Sequence, residues 1–303
     1  MNKELKILGV VVIFTLILYW GVEPFAHSKM HKHVEGDDFK YSDLKEVKVK
    51  GDAKRGESLA SSCVGCHSIK VKGMPAPMDP VTAAQTYGVN PPDLSLAGKL
   101  LDEKFFIHFL LNPAKVTKSK HFAMPPSAGS EQDAADIVAY FKSIAPKEEI
   151  KPQEAYAFAC GRCHANRYDN WTQLGYVPKT KENIKTGVDL DALEFKKKLG
   201  IYQNKLADYM GKLPPDLSII YRARSEHFLE TFIEDPQSQL PGTAMPRVGL
   251  TKEGFEHVMK YLEETGDPSK PKREAVGPYV LLFFFIFTIL AYLWKRSQWK
   301  DLH

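Results

Sequence analysis

Residues 63–67 have the sequence CVGCH, and residues 160–164 have the sequence CGRCH. Together these two stretches contain all four cysteines of the 303-residue chain. Two thiols three positions apart can add to the two vinyl groups of one porphyrin, while the adjoining histidine ligates its iron. The two stretches therefore predict two covalently bound c-type haems. The predicted attachment and proximal residues are Cys63, Cys66 and His67 for the first haem, and Cys160, Cys163 and His164 for the second.

Two other kinds of site use the same spacing of cysteines. A redox disulfide and half of a zinc site both contain Cys-x-x-Cys, and a lone pair of cysteines would leave both alternatives open. A histidine follows both pairs directly, and no cysteine is left over. This arrangement favours haem attachment over either alternative.

The haem motifs open two copies of one longer pattern. The sequence Pro-Pro-Asp-Leu-Ser begins at Pro91 and again at Pro214, 123 positions later. The sequence Ala-Met-Pro contains Met124 in the first copy and Met245 in the second, 121 positions apart. The chain is therefore expected to contain two tandem domains, residues 45–146 and 152–268, each running from a haem motif through Met-Pro to a terminal helix.

The repeat also suggests the ligand on the second face of each iron. Met124 and Met245 are the predicted distal ligands, because a methionine opposite a histidine is a common c-haem ligand pair. Met74 is also followed by proline, but the second copy has no counterpart of it. His121 would give the first haem two histidine ligands, although Gly242 at the matching place in the second copy cannot ligate iron.

Hydrophobic periodicity predicts helices around each motif, and so an all-α fold. Ser130 is placed to cap a helix after Met124, and Asp52 precedes a short helix that leads into the first cysteine pair. The second domain has 50 positions between His164 and Pro214, against 24 in the first copy. This insertion is expected to contain an extra amphipathic helix, whose apolar residues Leu199, Tyr202, Leu206 and Tyr209 fall at helical spacing.

An apolar segment lies near each end of the chain. Residues 1–24 are predicted to be an uncleaved N-terminal anchor, since no small-x-small cleavage site follows the apolar run, and a cleaved signal peptide is the alternative. Residues 276–294 are long enough to cross a membrane and are followed by a basic tail, residues 295–303. Positive residues outside both segments predict that both termini are cytoplasmic. The haem domains are then periplasmic and the membrane is the bacterial inner (cytoplasmic) membrane, where c-type haem is attached on the outer side.

The overall composition sets few further limits. A formal net charge of +4, with 26% charged residues, is only weakly basic and argues against a nucleic-acid partner. About 250 residues between the two apolar segments suit two small helical domains.

The second copy and its tail resemble cytochrome c1 of the quinol:cytochrome c reductase, the cytochrome bc1 complex. The resemblance rests on the haem motif, Pro-Pro-Asp-Leu-Ser at 214–218, Tyr-Arg-Ala-Arg at 221–224, a Met-Pro ligand and one C-terminal membrane helix. The additional N-terminal haem domain and the retained N-terminal helix resemble the dihaem cytochrome c subunit of some bacterial bc1 complexes, and dihaem cytochrome c4. The resemblance implies two tandem class I cytochrome c domains flanked by two transmembrane helices.

The resemblance also implies residue roles and partners. Pro92 and Pro215 would offer a backbone carbonyl to the proximal histidines, and Arg224 would pair with a haem propionate. The chain would accept electrons from a Rieske iron-sulfur protein beside a cytochrome b subunit, within membrane lipid, and relay them to a soluble or membrane-bound cytochrome c or to an oxidase. Electron transfer would be outer-sphere, the second haem lying nearer the donor, with no substrate chemistry in this chain.

Two other functions are compatible with two c haems. The dihaem subunit of a cbb3-type terminal oxidase has an N-terminal anchor, but it lacks the second membrane helix. A dihaem peroxidase needs an open iron position for peroxide, whereas the two matched Met-Pro pairs would close both irons.

Overall fold

The computed structural model describes residues 3–30, 35–119, 122–179 and 189–300. Within these ranges the regular elements are helices, apart from one antiparallel pair of short strands, β1 (Trp171–Thr172) and β2 (Gly175–Tyr176). The predicted all-α class, with an apolar helix near each end, is confirmed. The alternative haem ligand His121 lies outside the described residues.

The N-terminal segment is a helix with one irregular turn. Helix α1 is Lys3–Ile17, a π-helical turn covers Leu18–Val22, and α2 is Glu23–Met30. The π-helical turn falls just before Pro24, which has no amide hydrogen to donate to the preceding turn. Residues 3–26 are long and apolar enough to cross a membrane, with a mean hydropathy of 2.3. The helix thus continues past residue 24, the predicted end of the anchor.

The first domain is built around two crossing helices. Its helices are α3 (Ala53–Ala60), α4 (Pro80–Tyr87), α5 (Ala97–Leu100), α6 (Glu103–Leu111), α7 (Pro113–Val116) and α8 (Glu131–Ile144). Asp52 caps α3 and Ser130 caps α8, as the sequence predicted. The two crossing helices are α3 and α8. A Cβ atom on Gly56 of α3 would lie 1.9 Å from the carbonyl oxygen of Asp136 in α8, so only glycine allows the two backbones to approach so closely.

The second domain repeats this arrangement and adds one long helix. Its helices are α9 (Pro152–Ala159), α10 (Leu190–Met210), α11 (Ile220–Ala223), α12 (Glu226–Glu234), α13 (Pro236–Gln239) and α14 (Lys252–Gly266). Helix α9 packs on α14, where the rings of Tyr156 and Tyr261 stack with centroids 4.3 Å apart. Helix α10 is the predicted insertion helix. Its buried residues Tyr202 and Leu206 pack against Ala84 of the first domain, so the insertion joins the two domains.

The two domains also share one hydrophobic core. Phe105 and Leu100 of the first domain pack in one cluster with Tyr156 and Leu250 of the second. Ile150, in the segment between the two predicted domains, is 3% exposed and belongs to the same cluster. The two domains therefore form one packed unit, and Ile150 of the segment between them is part of its interior.

Residues 37–43, which precede the first domain, pack against the second domain. The Phe39 ring lies 5.0 Å from that of Phe255, and the Tyr41 hydroxyl donates a 2.7 Å hydrogen bond to Leu250 O. Asp43 accepts two hydrogen bonds from Arg247. We call residues 37–43 the strap.

The C-terminal segment is one helix, α15, which spans Lys270–Gln298. It begins before residue 276, the predicted start of the membrane segment, and its first turns carry charged side chains such as Arg273, which pairs with Asp267. The helix is long and apolar enough to cross a membrane, with a mean hydropathy of 2.2. Lys295 near its end forms an ion pair with Glu4 of α1. The C-terminal end of α15 therefore lies beside the N-terminal end of α1.

Candidate haem sites

Both proximal histidines make the same hydrogen bond. His67 donates its Nδ1 hydrogen to Pro92 O at 2.8 Å, and His164 donates to Pro215 O at 2.8 Å. Each bond selects the tautomer whose Nε2 carries a lone pair, which is the atom that can ligate iron. Burial lowers the pKa of both imidazoles, although the hydrogen bond to the proline carbonyl opposes this shift. Both side chains are therefore neutral at pH 7, as iron ligation requires.

The Pro-Pro-Asp-Leu-Ser segment is held in place by the residue that follows each histidine. Leu94 N donates to Ser68 O at 2.9 Å, and Leu217 N donates to Ala165 O at the same distance. In both copies the aspartate of the motif also caps its own turn, accepting from the amide two residues later. The segment thus presents its proline carbonyl to the histidine in the same way twice, which explains why the motif recurs.

The cysteines and histidines of each haem motif lie on one tight turn. His67 N donates to Cys63 O at 2.9 Å, and His164 N donates to Cys160 O at 2.9 Å. The four thiols are not joined in disulfides. Burial raises the pKa of Cys63, and raises that of Cys160 to about 12.

The zinc alternative receives no support from the structure. In the part of the chain that the structure describes, no group of three or more His, Cys, Asp or Glu side chains could hold a metal ion. Each thiol pair is followed by a histidine whose Nδ1 is hydrogen-bonded to a proline carbonyl, which leaves Nε2 as the atom for iron. This arrangement fits covalent haem instead.

The two predicted distal methionines lie on loops that are tied to other elements. Met124 is half-buried and packs against the core of the first domain, and the amide of the preceding Ala123 donates to Tyr209 Oη at 3.1 Å. Met245 is also half-buried, and its carbonyl accepts from Gln237 Nε2 at 2.7 Å. Met74, the competing candidate, is 40% exposed. Ligation by Met124 and Met245 stays a prediction.

Two arginines near the sites were missed by sequence reasoning. Arg247, two residues after Met245, is 4% exposed, and its guanidinium donates to both carboxylate oxygens of Asp43. Arg162, inside the second haem motif, donates from Nη1 to Asn90 O of the first domain at 3.0 Å. Their only sequence signal is that the first copy has Pro126 and Gly65 at the matching places.

Arg224, which the resemblance assigned to a propionate, is exposed in the structure. Its guanidinium lies over the Phe228 ring, 5.1 Å from the centroid. The arginine is therefore free to approach an anionic group from the solvent side, and its pairing with a propionate stays a prediction.

Comparison with known proteins identifies part of this arrangement. The cytochrome c family model matches residues 53–145, which include the first haem motif, Pro92 and Met124. Residues 53–145 are a cytochrome c domain. Such a domain implies covalently bound haem c, and the fold and contacts of the first haem site fit that cofactor.

Two curated proteins are similar to parts of this chain. The ammonia monooxygenase gamma subunit of Nitrosomonas europaea is 25% identical over 207 residues, which cover 52% of this chain and 86% of that protein. Cytochrome c1 of Allochromatium vinosum is 26% identical over 143 residues, which cover 31% of this chain and 59% of that protein. The latter similarity points to electron transfer in a respiratory chain.

Among solved structures, a chain of a hyperthermophilic respiratory Complex III is 27% identical. The alignment covers 50% of this chain and 75% of that chain, with a TM-score of 0.34.

Proposed function

We propose that this chain is a dihaem cytochrome c subunit of a cytochrome bc1 complex, which accepts electrons from a Rieske iron-sulfur protein. It would pass them to a periplasmic cytochrome c or to an oxidase. The observation that carries the proposal is the repeated proximal contact, His67 to Pro92 and His164 to Pro215, each 2.8 Å long. Two sites with the same local chemistry in one packed unit support a relay of two haems.

The second domain is proposed to bind its haem as the first cytochrome c domain does. Support comes from the second thiol pair, the neutral His164 and the matched Pro-Pro-Asp-Leu-Ser segment. Haem iron supplies reversible one-electron chemistry, and axial methionine raises its reduction potential. The chain itself would orient the ligands and exclude water, and no residue acts as acid, base or nucleophile.

The membrane arrangement is part of the proposal. The two apolar helices would cross the bacterial inner membrane in contact with lipid, with the haem domains in the periplasm. The Glu4–Lys295 ion pair supports an arrangement in which both helices begin or end on the same side. The cytochrome c1 similarity supports cytochrome b and Rieske subunits as partners.

Isolation of the tagged full-length protein from its native membrane in mild detergent tests the assignment. We expect two c haems per chain, co-purifying low-spin b haem, and quinol:cytochrome c reductase activity. A carbon monoxide-reactive b haem with oxygen consumption would instead assign the chain to a cbb3-type oxidase. Haem c alone, without either activity, would leave a membrane-tethered electron carrier.

The number of haems is tested separately by thiol substitution. The double variant Cys160→Ala/Cys163→Ala is expected to retain one c haem, and so is Cys63→Ala/Cys66→Ala. A wild-type haem content in either variant would contradict the proposal of one haem per motif.

The order of the haems is tested on the distal ligands. We propose that the second haem lies nearer the Rieske donor, because the cytochrome c1-like features are in the second domain. Met245→Ala is then expected to block oxidation of the Rieske centre. If Met245→Ala left that oxidation intact while Met124→Ala blocked it, the order would be reversed.

A further inference from the structure

The two candidate haem sites meet at three residues, Asn90, Arg162 and Tyr202, which we call the junction. Asn90 lies two residues before Pro92, whose carbonyl accepts the hydrogen bond of His67. Arg162 lies between the two attachment cysteines of the second haem motif. The junction therefore connects the proximal side of the first site to the attachment turn of the second.

The junction is a closed ring of hydrogen bonds. Arg162 Nη1 donates to Asn90 O at 3.0 Å, Asn90 N donates to Tyr202 Oη at 3.1 Å, and Tyr202 Oη donates to Arg162 O at 2.9 Å. The Tyr202 side chain is fully buried. Because each residue is bonded to both others, the guanidinium is held in one place relative to the Pro91–Pro92 segment.

Haem attachment alone does not explain an arginine at this position. The first motif has Gly65 at the place of Arg162, and it offers the same pair of thiols. The Arg162 Nε is buried and has no hydrogen-bond partner among the described residues, which is a cost for a charged group. A positive charge is thus kept at the junction even though one of its donors is unpaired.

The charge of Arg162 lies on the proximal side of the first site. Arg162 Nη1 donates to Asn90 O at 3.0 Å, and Asn90 lies two residues before Pro92, whose carbonyl accepts from His67 Nδ1 at 2.8 Å. The guanidinium is therefore bonded to the segment that orients the proximal ligand of the first site.

We propose that Arg162, although it belongs to the second haem motif, is a positioning residue of the first haem: it holds the Asn90–Pro92 segment that orients His67, and its charge favours the electron on the first iron. This inference rests on the proposed binding of haem at His67. With haem bound at both sites, transfer of one electron from the second site to the first would oxidise the second haem by one electron and reduce the first by one. No proton or other atom is transferred.

Spectroelectrochemical titration of the full-length holoprotein tests this role. Arg162→Gln is expected to lower the equilibrium constant for reduction of the first haem about tenfold, the order that one charge produces over about 10 Å at an effective dielectric constant of about 20. For one electron this corresponds to about 59 mV. Arg162→Lys, which keeps the charge, should restore most of the shift. Arg222→Gln, at an exposed arginine of the second domain, is the matched control and should leave both waves in place.

The two waves are assigned with Met245→His, which alters a predicted ligand of the second haem only. Arg162→Met repeats the test with an apolar stem, so that the outcome does not depend on one neutral replacement folding. A first wave that stays within about twofold of wild type in both neutral variants, or a larger shift of the second wave, would overturn the inference. Haem content is measured on the same samples. Absence of the first haem from the wild-type protein would contradict the proposed function itself. An unchanged first wave in the neutral Arg162 variants contradicts only the role of Arg162.

Discussion

The imidazole of His67 can ligate iron only through Nε2, because its Nδ1 hydrogen is donated to Pro92 O. The same holds for His164 and Pro215. The ring of a proline fixes its φ angle, so the carbonyl is presented by a stiff segment. Proline also has no amide hydrogen that could bond to another acceptor. At the scale of single residues, the chemistry of each site is thus decided by one carbonyl and one ring nitrogen.

A second residue-scale requirement lies beside Met245, where the chain crosses the first domain. Gly249 has φ of +77°, and a Cβ atom there would lie 2.0 Å from Cδ1 of Phe105. Gly242 has a similar φ of +85°, but a Cβ atom there would have no neighbour within 4 Å. Alanine substitutions at the two glycines can therefore distinguish the cost of a left-handed backbone from the cost of steric overlap.

We expect Gly249→Ala to lower the free energy of unfolding by about 3 kcal/mol, since overpacking adds to the cost of a left-handed backbone. Gly242→Ala carries the backbone cost alone, about 1–2 kcal/mol. Denaturant unfolding of the holoprotein in detergent, followed by haem absorbance, measures both. Equal losses in the two variants would mean that Phe105 and the chain at Gly249 do not pack as closely as described.

At the scale of elements, helix α10 of the second domain packs against the first domain. Tyr202 and Leu206 bury themselves against α4, and the ring of Tyr209 lies directly beside Gly88, where a Cβ atom would be 2.5 Å away. Tyr209 Oη also accepts from the amide of Ala123, next to Met124. An insertion in one domain thus holds the predicted distal ligand loop of the other.

The hydroxyl of Tyr209 is expected to keep the Met124 loop closed. Tyr209→Phe retains the ring but removes a hydrogen bond worth about 1 kcal/mol, so the loop should open about fivefold more often. The measurement is the rate at which an added ligand such as imidazole displaces methionine from the ferric first haem, and we expect it to rise about fivefold. Tyr168→Phe, at a tyrosine that is 62% exposed, is the control and should not change that rate. An unchanged rate in Tyr209→Phe would mean that the Tyr209 hydroxyl does not keep the Met124 loop closed.

At the scale of the whole molecule, the strap and the shared core make one unit from what the repeat presents as two domains. Asp43 of the strap and Arg247 beside Met245 form an ion pair whose arginine is buried, and Arg247 N also donates to Thr117 O of the first domain. The strap follows the N-terminal apolar helix, and α15 leaves the second domain directly after α14. Both apolar helices are therefore anchored on the second domain.

This arrangement predicts that both chain termini face the cytoplasm. Green fluorescent protein fused after His303 is expected to be fluorescent and alkaline phosphatase at the same site inactive, because the Lys295–Arg296 end of α15 stays on the cytoplasmic side. Fusions after Asp267, before α15, should give the opposite pattern. Active phosphatase after His303 would place the C-terminus on the outer side and contradict the proposed topology.

Much of the local chemistry could be predicted from the sequence, because it depends on residues within a turn or two of one another. The spacing of the cysteines and histidines, the caps Asp52 and Ser130, the two apolar helices and the repeated proline segment all follow from such short-range relations. The insertion helix was predicted from its periodicity, although not the domain on which it packs.

The tertiary structure alone decided which distant groups meet. Arg162 and Asn90 are 72 residues apart, and Arg247 and Asp43 are 204 apart. No periodicity connects such pairs, since their contact depends on how the faces of α10, α6 and the strap pack together and on which polar groups that packing removes from water. The sequence by itself therefore determined the two candidate haem-binding motifs and the helices around them, whereas packing between the domains determined which residues of one domain contact the candidate haem site of the other.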